Sequence, residues 1–173
     1  MVLTLEQFGA NFAPYPVPSL LEELLAFQNA SAEWYAGYFE LDVVKRDSLK
    51  HHIREEALPQ FFGFGRERDG SLYALWRYKE IPLEEAPVVY LNSEGEGSGV
   101  QANNLAEFFT LLATDQDPAF GMYAERSSQE REQTKRNPEF LRWLEQRYHL
   151  QAAEYPNEVV RKARLRYPAV PLL

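Results

Sequence analysis

The dipeptide Asp69-Gly70 stands between two apolar runs, Phe61-Phe62-Gly63-Phe64-Gly65 and Ser71-Leu72-Tyr73-Ala74-Leu75-Trp76, and no other feature constrains the chain as strongly. Asp-Gly accepts the positive φ angles of a tight hairpin turn, so the flanking runs are expected to pair antiparallel. Pro87-Val88-Val89-Tyr90-Leu91 reads as a further strand. The aromatic stretch from Trp34 to Asp42, with Gly37 in its middle, suits a strand with a bulge or a close backbone neighbour. Between Asn92 and Gly99 the small residues predict a loop.

Helix signals surround these strands. Thr4-Leu5-Glu6-Gln7 and Ser19-Leu20-Leu21-Glu22 both have the form of a capping box, and the second leads into Leu24, Leu25 and Phe27 at near-helical spacing. Pro14, Pro16 and Pro18 hold an extended connector between the two. Asp47 or Ser48 is expected to cap a short helix running through Ile53 and Ala57, with Pro59 stopping it. Asn104 caps another, with Glu107 three positions on and Leu105, Phe108, Phe109 and Leu112 as its apolar face. Asn137-Pro138 supplies a cap and a first-turn proline for a helix carrying Phe140, Leu144 and Tyr148, and a last helix is expected after Asn157.

The chain has 173 residues and no cysteine, which excludes a disulfide scaffold, a thiolate metal site and a cysteine nucleophile. Its fold must rest on packing, for which 45% hydrophobic residues suffice at this length. Eighteen basic against 26 acidic residues give a net charge of -8, the wrong sign for neutralising phosphates, so nucleic acid is not the expected partner. Residues 1–120 carry 8 basic and 19 acidic side chains, whereas residues 121–173 carry 10 and 7. That step suggests a main domain over 1–120 and a basic helical extension over 121–173, its charge suited to lying against the acidic body. The first basic side chain is Lys45, so the amino terminus lacks the n-region of a signal peptide, and no apolar run reaches the ~18 residues of a membrane span. A cytoplasmic protein with no membrane contact is the expectation.

The search for chemistry is mostly negative. Gly63-Phe64-Gly65-Arg66-Glu67-Arg68 lacks the third glycine of a dinucleotide fingerprint and runs into a hairpin, not a helix. Glu94-Gly95-Glu96-Gly97-Ser98-Gly99 offers two carboxylates where a phosphate loop needs Lys-Ser/Thr, and it lacks the first glycine of a nucleophile elbow. His51 and His52 would diverge by about 100° on a helix, too far to clamp one ion. Asp115-Gln116-Asp117 opens like a calcium loop, but Phe120 and Arg126 stand where glycine and glutamate are required. No metal, no cofactor and no catalytic residue is therefore expected. The best-spaced carboxylate pair is Glu94 with Glu96, which alternate along an extended segment and could serve a hydrolase only from within a cleft. Exposed aromatics are the residue type enriched at binding hot spots, so Trp34, Tyr38 and Trp76, together with Glu94 and Glu96, form the expected partner-binding set.

The order of these elements, from the Pro-flanked Ser19-Leu20-Leu21 helix through Phe-Gly-Phe-Gly, Asp69-Gly70, Tyr73 and Val88-Val89-Tyr90 to Asn104-Leu105 and Glu107-Phe108-Phe109, resembles the SUKH superfamily, the Smi/Knr-like domain. The resemblance covers about Pro18 to Ala113, and the chain departs from it in the charged insert from Lys45 to Glu56 and in the helical segment after Gly121. It implies an α+β fold, a mainly antiparallel sheet packed with helices, here with a C-terminal helical extension. It also implies a non-enzymatic protein-binding module of the kind by which bacterial immunity proteins neutralise polymorphic toxins, often nucleases or deaminases. An adaptor or regulatory domain with a non-toxin partner is the alternative, and a hydrolase built on Glu94 and Glu96 the third reading. An acidic surface fits a basic toxin domain as partner.

Overall fold

A computed structural model of the chain describes residues 2–31, 35–127, 129–130 and 137–173. Five strands, β1 (Phe39–Leu41), β2 (Phe61–Glu67), β3 (Leu72–Trp76), β4 (Val88–Leu91) and β5 (Gly99–Ala102), form one antiparallel sheet in chain order. Among the described residues the helices are α1 (Leu5–Gly9), α2 (Ser19–Ala30), α3 (Arg46–Leu49), α4 (Leu105–Leu112), α5 (Pro138–Tyr148) and α6 (Pro156–Arg166). The fold is α+β, with the helical C-terminal part that the caps at Asn137 and beyond predict. No helix among the described residues is long and apolar enough to cross a membrane.

Alternation along the strands builds two cores, one on each face of the sheet. Tyr73 and Leu75 of β3, with Val88 and Tyr90 of β4, enter the larger one, closed by Phe8, by Leu21 and Leu24 of α2, by Phe108 and Phe109 of α4, and by Phe140 and Leu144 of α5. Ala74 and Trp76, with Val89 and Leu91, enter the other, beneath Leu49, Ala57 and Leu58 and beneath Ala163 and Tyr167 at the end of α6. Residues 138–167 are thus built into the same two cores as residues 8–112.

Local chemistry accounts for most boundaries. Thr4 and Gln7 form the reciprocal capping box, and the Asn104 side chain accepts the Glu107 N–H at 2.9 Å. Ser19 does not cap α2: Pro18 holds that position, and the Ser19 N–H donates instead to the Glu84 carboxylate at 2.5 Å. The aromatic stretch before Asp42 is a strand only from Phe39, because the Gly37 N–H is taken by the Asp115 side chain at 2.9 Å and not by a neighbouring strand. Nor does one helix run from Asp47 to Ala57. It divides into α3 and a 3-10 turn over Glu55–Gln60, since Ile53 between them bridges to Leu172 and the Arg54 N–H donates to the Pro171 carbonyl. β5 begins at Gly99, where the sequence predicts only the end of a loop.

Gly65 owes its identity to a close approach. A Cβ there would lie 2.3 Å from Cε2 of Phe39, whose ring covers the strand at that point.

Candidate functional site

Connections in an antiparallel meander leave alternately from the two ends of the sheet. The entry to β1, the β2–β3 turn and the β4–β5 loop share one end, and the segment following α4 returns to it. Into this end projects Glu67. Pairing between β2 and β3 shifts at Gly63/Gly65, so Phe64 and Gly65 both address the larger core. A one-residue bulge reverses the facing of everything beyond it. Arg66 therefore points outward to Glu40 and Asp42, at 3.0 and 2.8 Å, and Glu67 points inward, 5% exposed.

The Glu67 carboxyl sits among tyrosines. The Tyr73 hydroxyl donates to its Oε1 at 2.5 Å, and Asp117 is its second hydrogen-bond partner. Burial pushes the group up to about 8, the Tyr73 hydrogen bond opposes that, and the charges of Asp117 and Asp69 add to it. At neutral pH Glu67 is mainly the neutral acid, donating to the Asp117 carboxylate. Asp117 is itself held above the usual carboxylate range, first by burial and then by Asp69. Tyr90 donates to Ser71 Oγ at 3.2 Å and is pushed up to about 12 by burial. Tyr38 and Tyr123 lie beside each other and close to Glu67, their hydroxyls facing one another, and both are raised chiefly by burial.

Two depressions open beside this cluster and share Ser93 and Glu94 as a wall. The larger, about 730 Å³, contains Asp42, Asp47, His51, His52 and Arg66. Asp42 pairs there with Arg66 and Asp47 with Lys50, and burial lowers His52, with His51 adding to the effect. The smaller, about 400 Å³, is lined by Asp69, Glu94 and Asp117, with Tyr90 and Phe120 as its rings and no Lys or Arg among its described lining residues. Phe120 and Gly121 both have positive φ, 51° and 70°, in a turn closed by Met122 N–H to Ala119 C=O, the pattern of a type I′ turn. A phenylalanine is rare in that conformation. It is held there because Gln101 donates to the Gly121 carbonyl at 3.0 Å and the backbone of Phe120 lies against Gly97, where a Cβ would come within 2.1 Å of the Phe120 oxygen. Asn157 of α6 clamps the next residue, Tyr123, through both its N–H and its carbonyl at 2.8 Å.

The residues nominated from sequence fare unevenly. Trp76 is a correction: it is 4% exposed, stacked on Phe61 with its indole N–H donating to Gln60 at 3.2 Å, because the face of β3 expected to meet solvent is covered by the second core. Tyr38 is also buried, although it reaches the site from within. Trp34 lies outside the described residues. Glu94 and Glu96 are both exposed, and of the two only Glu94 lines these two depressions. Glu67, Asp117, Tyr90 and Phe120 escaped the sequence reading. The available signal was the Gly-x-Gly of β2, which marks a bulge and turns Glu67 inward. No group of three or more His, Asp or Glu among the described residues is placed to hold a metal ion. Comparison with family models, curated proteins and solved structures finds no match.

Proposed function

We propose that the protein is a non-enzymatic binding module of the immunity type, which neutralises a basic toxin domain of the nuclease or deaminase class by covering it with the acidic end of its sheet. The observation that carries this reading is the lining of the smaller depression: three carboxylates and two aromatic rings, with no Lys or Arg among the described residues. Such a surface attracts a basic partner, and a net charge of -8 adds long-range steering toward it. The resemblance to the SUKH superfamily points to the same class. Capture from the native host with the full chain as bait, followed by assay of the captured protein's nuclease or deaminase activity, tests the reading. Stoichiometric loss of that activity in the complex is the expected result. A captured partner whose activity is unchanged, or one with no such domain, overturns it in favour of an adaptor role.

A further inference from the structure

We propose that the carboxyl pair Glu67 and Asp117 is a proton-operated latch: a proton shared between them holds residues 116–120 closed over the loop end of the sheet, and its loss swings that segment outward while both cores stay folded. The device is independent of what the protein binds.

Geometry carries it. Glu67 is 5% exposed, turned inward by the bulge at Gly63/Gly65, and its partners are the Tyr73 hydroxyl at 2.5 Å and the Asp117 carboxyl. Ionised carboxylates have no hydrogen to donate, so two carboxyls in hydrogen-bond contact hold a proton between them. When it leaves, two like charges face each other in a site that excludes most water. The groups that face Glu67 from the surrounding elements are Tyr73 of β3, Tyr90 of β4, Tyr38 from before β1, Asp69 of the β2–β3 turn, and Asp117 and Tyr123 from after α4. None of these is a cation, and the sequence neighbours Arg66 and Arg68 are both exposed. Glu67 and Tyr73 are fixed in paired strands, so the side that yields is that of Asp117. Its segment has fixed ends, since Asp115 accepts the Gly37 N–H at 2.9 Å and Gln101 holds the Gly121 carbonyl at 3.0 Å. Asp115 and Phe120, next to those ends, both have positive φ, 52° and 51°, a conformation that residues other than glycine leave with a gain in free energy. Because closure raises Glu67 above its ordinary value of 4.5 to about 8, the latch is tightest below about pH 4.5, loosens as pH rises between these values, and changes little above about pH 8.

The full chain contains no cysteine, so one introduced thiol is an unambiguous reporter. Gln116→Cys places it inside the latch, at a side chain 4% exposed, and Val89→Cys places it in the second core, 0% exposed. Each chain is reacted with iodoacetamide between about pH 6 and 9, and each rate is divided by that of the same chain unfolded in urea at the same pH, which removes the thiol's own titration. The normalised rate at position 116 should rise at least about tenfold from pH 6 to 8 and then level off, and it should exceed the rate at position 89 at least about tenfold at pH 8. Adding Glu67→Gln should hold the rate at position 116 flat to within about twofold, and Asp117→Asn, which removes the repulsion and leaves the burial, should shrink the rise at least about threefold. A rise under about threefold, or one that persists undiminished in both variants, overturns the latch. So do equal rates at positions 116 and 89, which mean that the whole chain opens; this comparison needs no substitution in the carboxyl pair and decides the matter even where those variants do not fold.

Discussion

Replacing Glu67 by glutamine removes an ionisable group while keeping its two hydrogen-bonding roles, since an amide can accept from Tyr73 and donate to Asp117. In the native protein the carboxyl is held up at about 8, against an ordinary value of 4.5. Because the folded value is raised, the native state binds more protons than the unfolded chain between these two values. The group's contribution to stability is therefore complete below about pH 4.5 and is progressively lost as pH rises toward 8. Integrated from pH 5 to pH 9, the wild type loses about 4 kcal/mol from this group, and relaxation around the new charge reduces that to about 2 kcal/mol at the low end. Glu67→Gln loses nothing through this route, so the stability difference between the two proteins should move by about 2 to 4 kcal/mol toward the variant across that range. Urea unfolding of both at pH 5, 7 and 9, fitted with a common slope, measures it directly. A difference flat to within about 0.5 kcal/mol would show that Glu67 is ionised and solvated in the native protein, and would refute the assignment of a buried acid.

Three further substitutions test the frame around the site. Gly65→Ala drives a methyl against the Phe39 ring and should cost about 1 to 3 kcal/mol, part of it recovered in the double variant with Phe39→Leu; additive losses in a double-mutant cycle would disprove the contact. Trp76→Ala should cost about 3 to 5 kcal/mol and lower the melting temperature by about 6 to 20 °C, whereas a loss under about 1 kcal/mol would restore the indole to the surface. Asn104→Ala strips the Glu107 N–H of its acceptor and should lower stability by about 1 kcal/mol in denaturant unfolding, an unchanged midpoint showing that water substitutes for the cap.

What was legible in the sequence is what local chemistry decides. Asp69-Gly70 places the β2–β3 hairpin, Thr4, Asn104 and Asn137 start their helices, and the run Val88-Val89-Tyr90-Leu91 is a strand wherever it packs. β5 was invisible because Gly99-Val100-Gln101-Ala102 has one β-branched residue, and it is a strand through its pairing with β4 and the cover of α6. Trp76 was misplaced for a related reason. Alternation correctly puts it opposite Tyr73, but whether that face meets water depends on α6, some 80 residues later. Glu67 shows the limit most clearly. An acid in a sequence reads as surface, and it becomes interior here only because a bulge at Gly63/Gly65 reverses its facing and because Tyr38, Tyr73 and Asp117, from three different segments, stand ready to receive it.

The placement of the site at the loop end of the sheet follows from how its other surfaces are spent. Both faces are largely covered by cores, and the strand side chains Arg66 and Tyr90 line depressions beside the loop end. The edges are the usual alternative, since an unpaired strand can accept another from outside. At one edge β1 is only three residues long. At the other, α6 packs along β5 and its Arg164 donates to the Val100 carbonyl at 3.2 Å. Recognition by strand addition is thereby disfavoured, and what remains is an end of the meander, where turns are free to carry charge. That the β2–β3 turn, the β4–β5 loop and the segment after α4 each contribute a carboxylate to one depression there is what the proposed binding role would use.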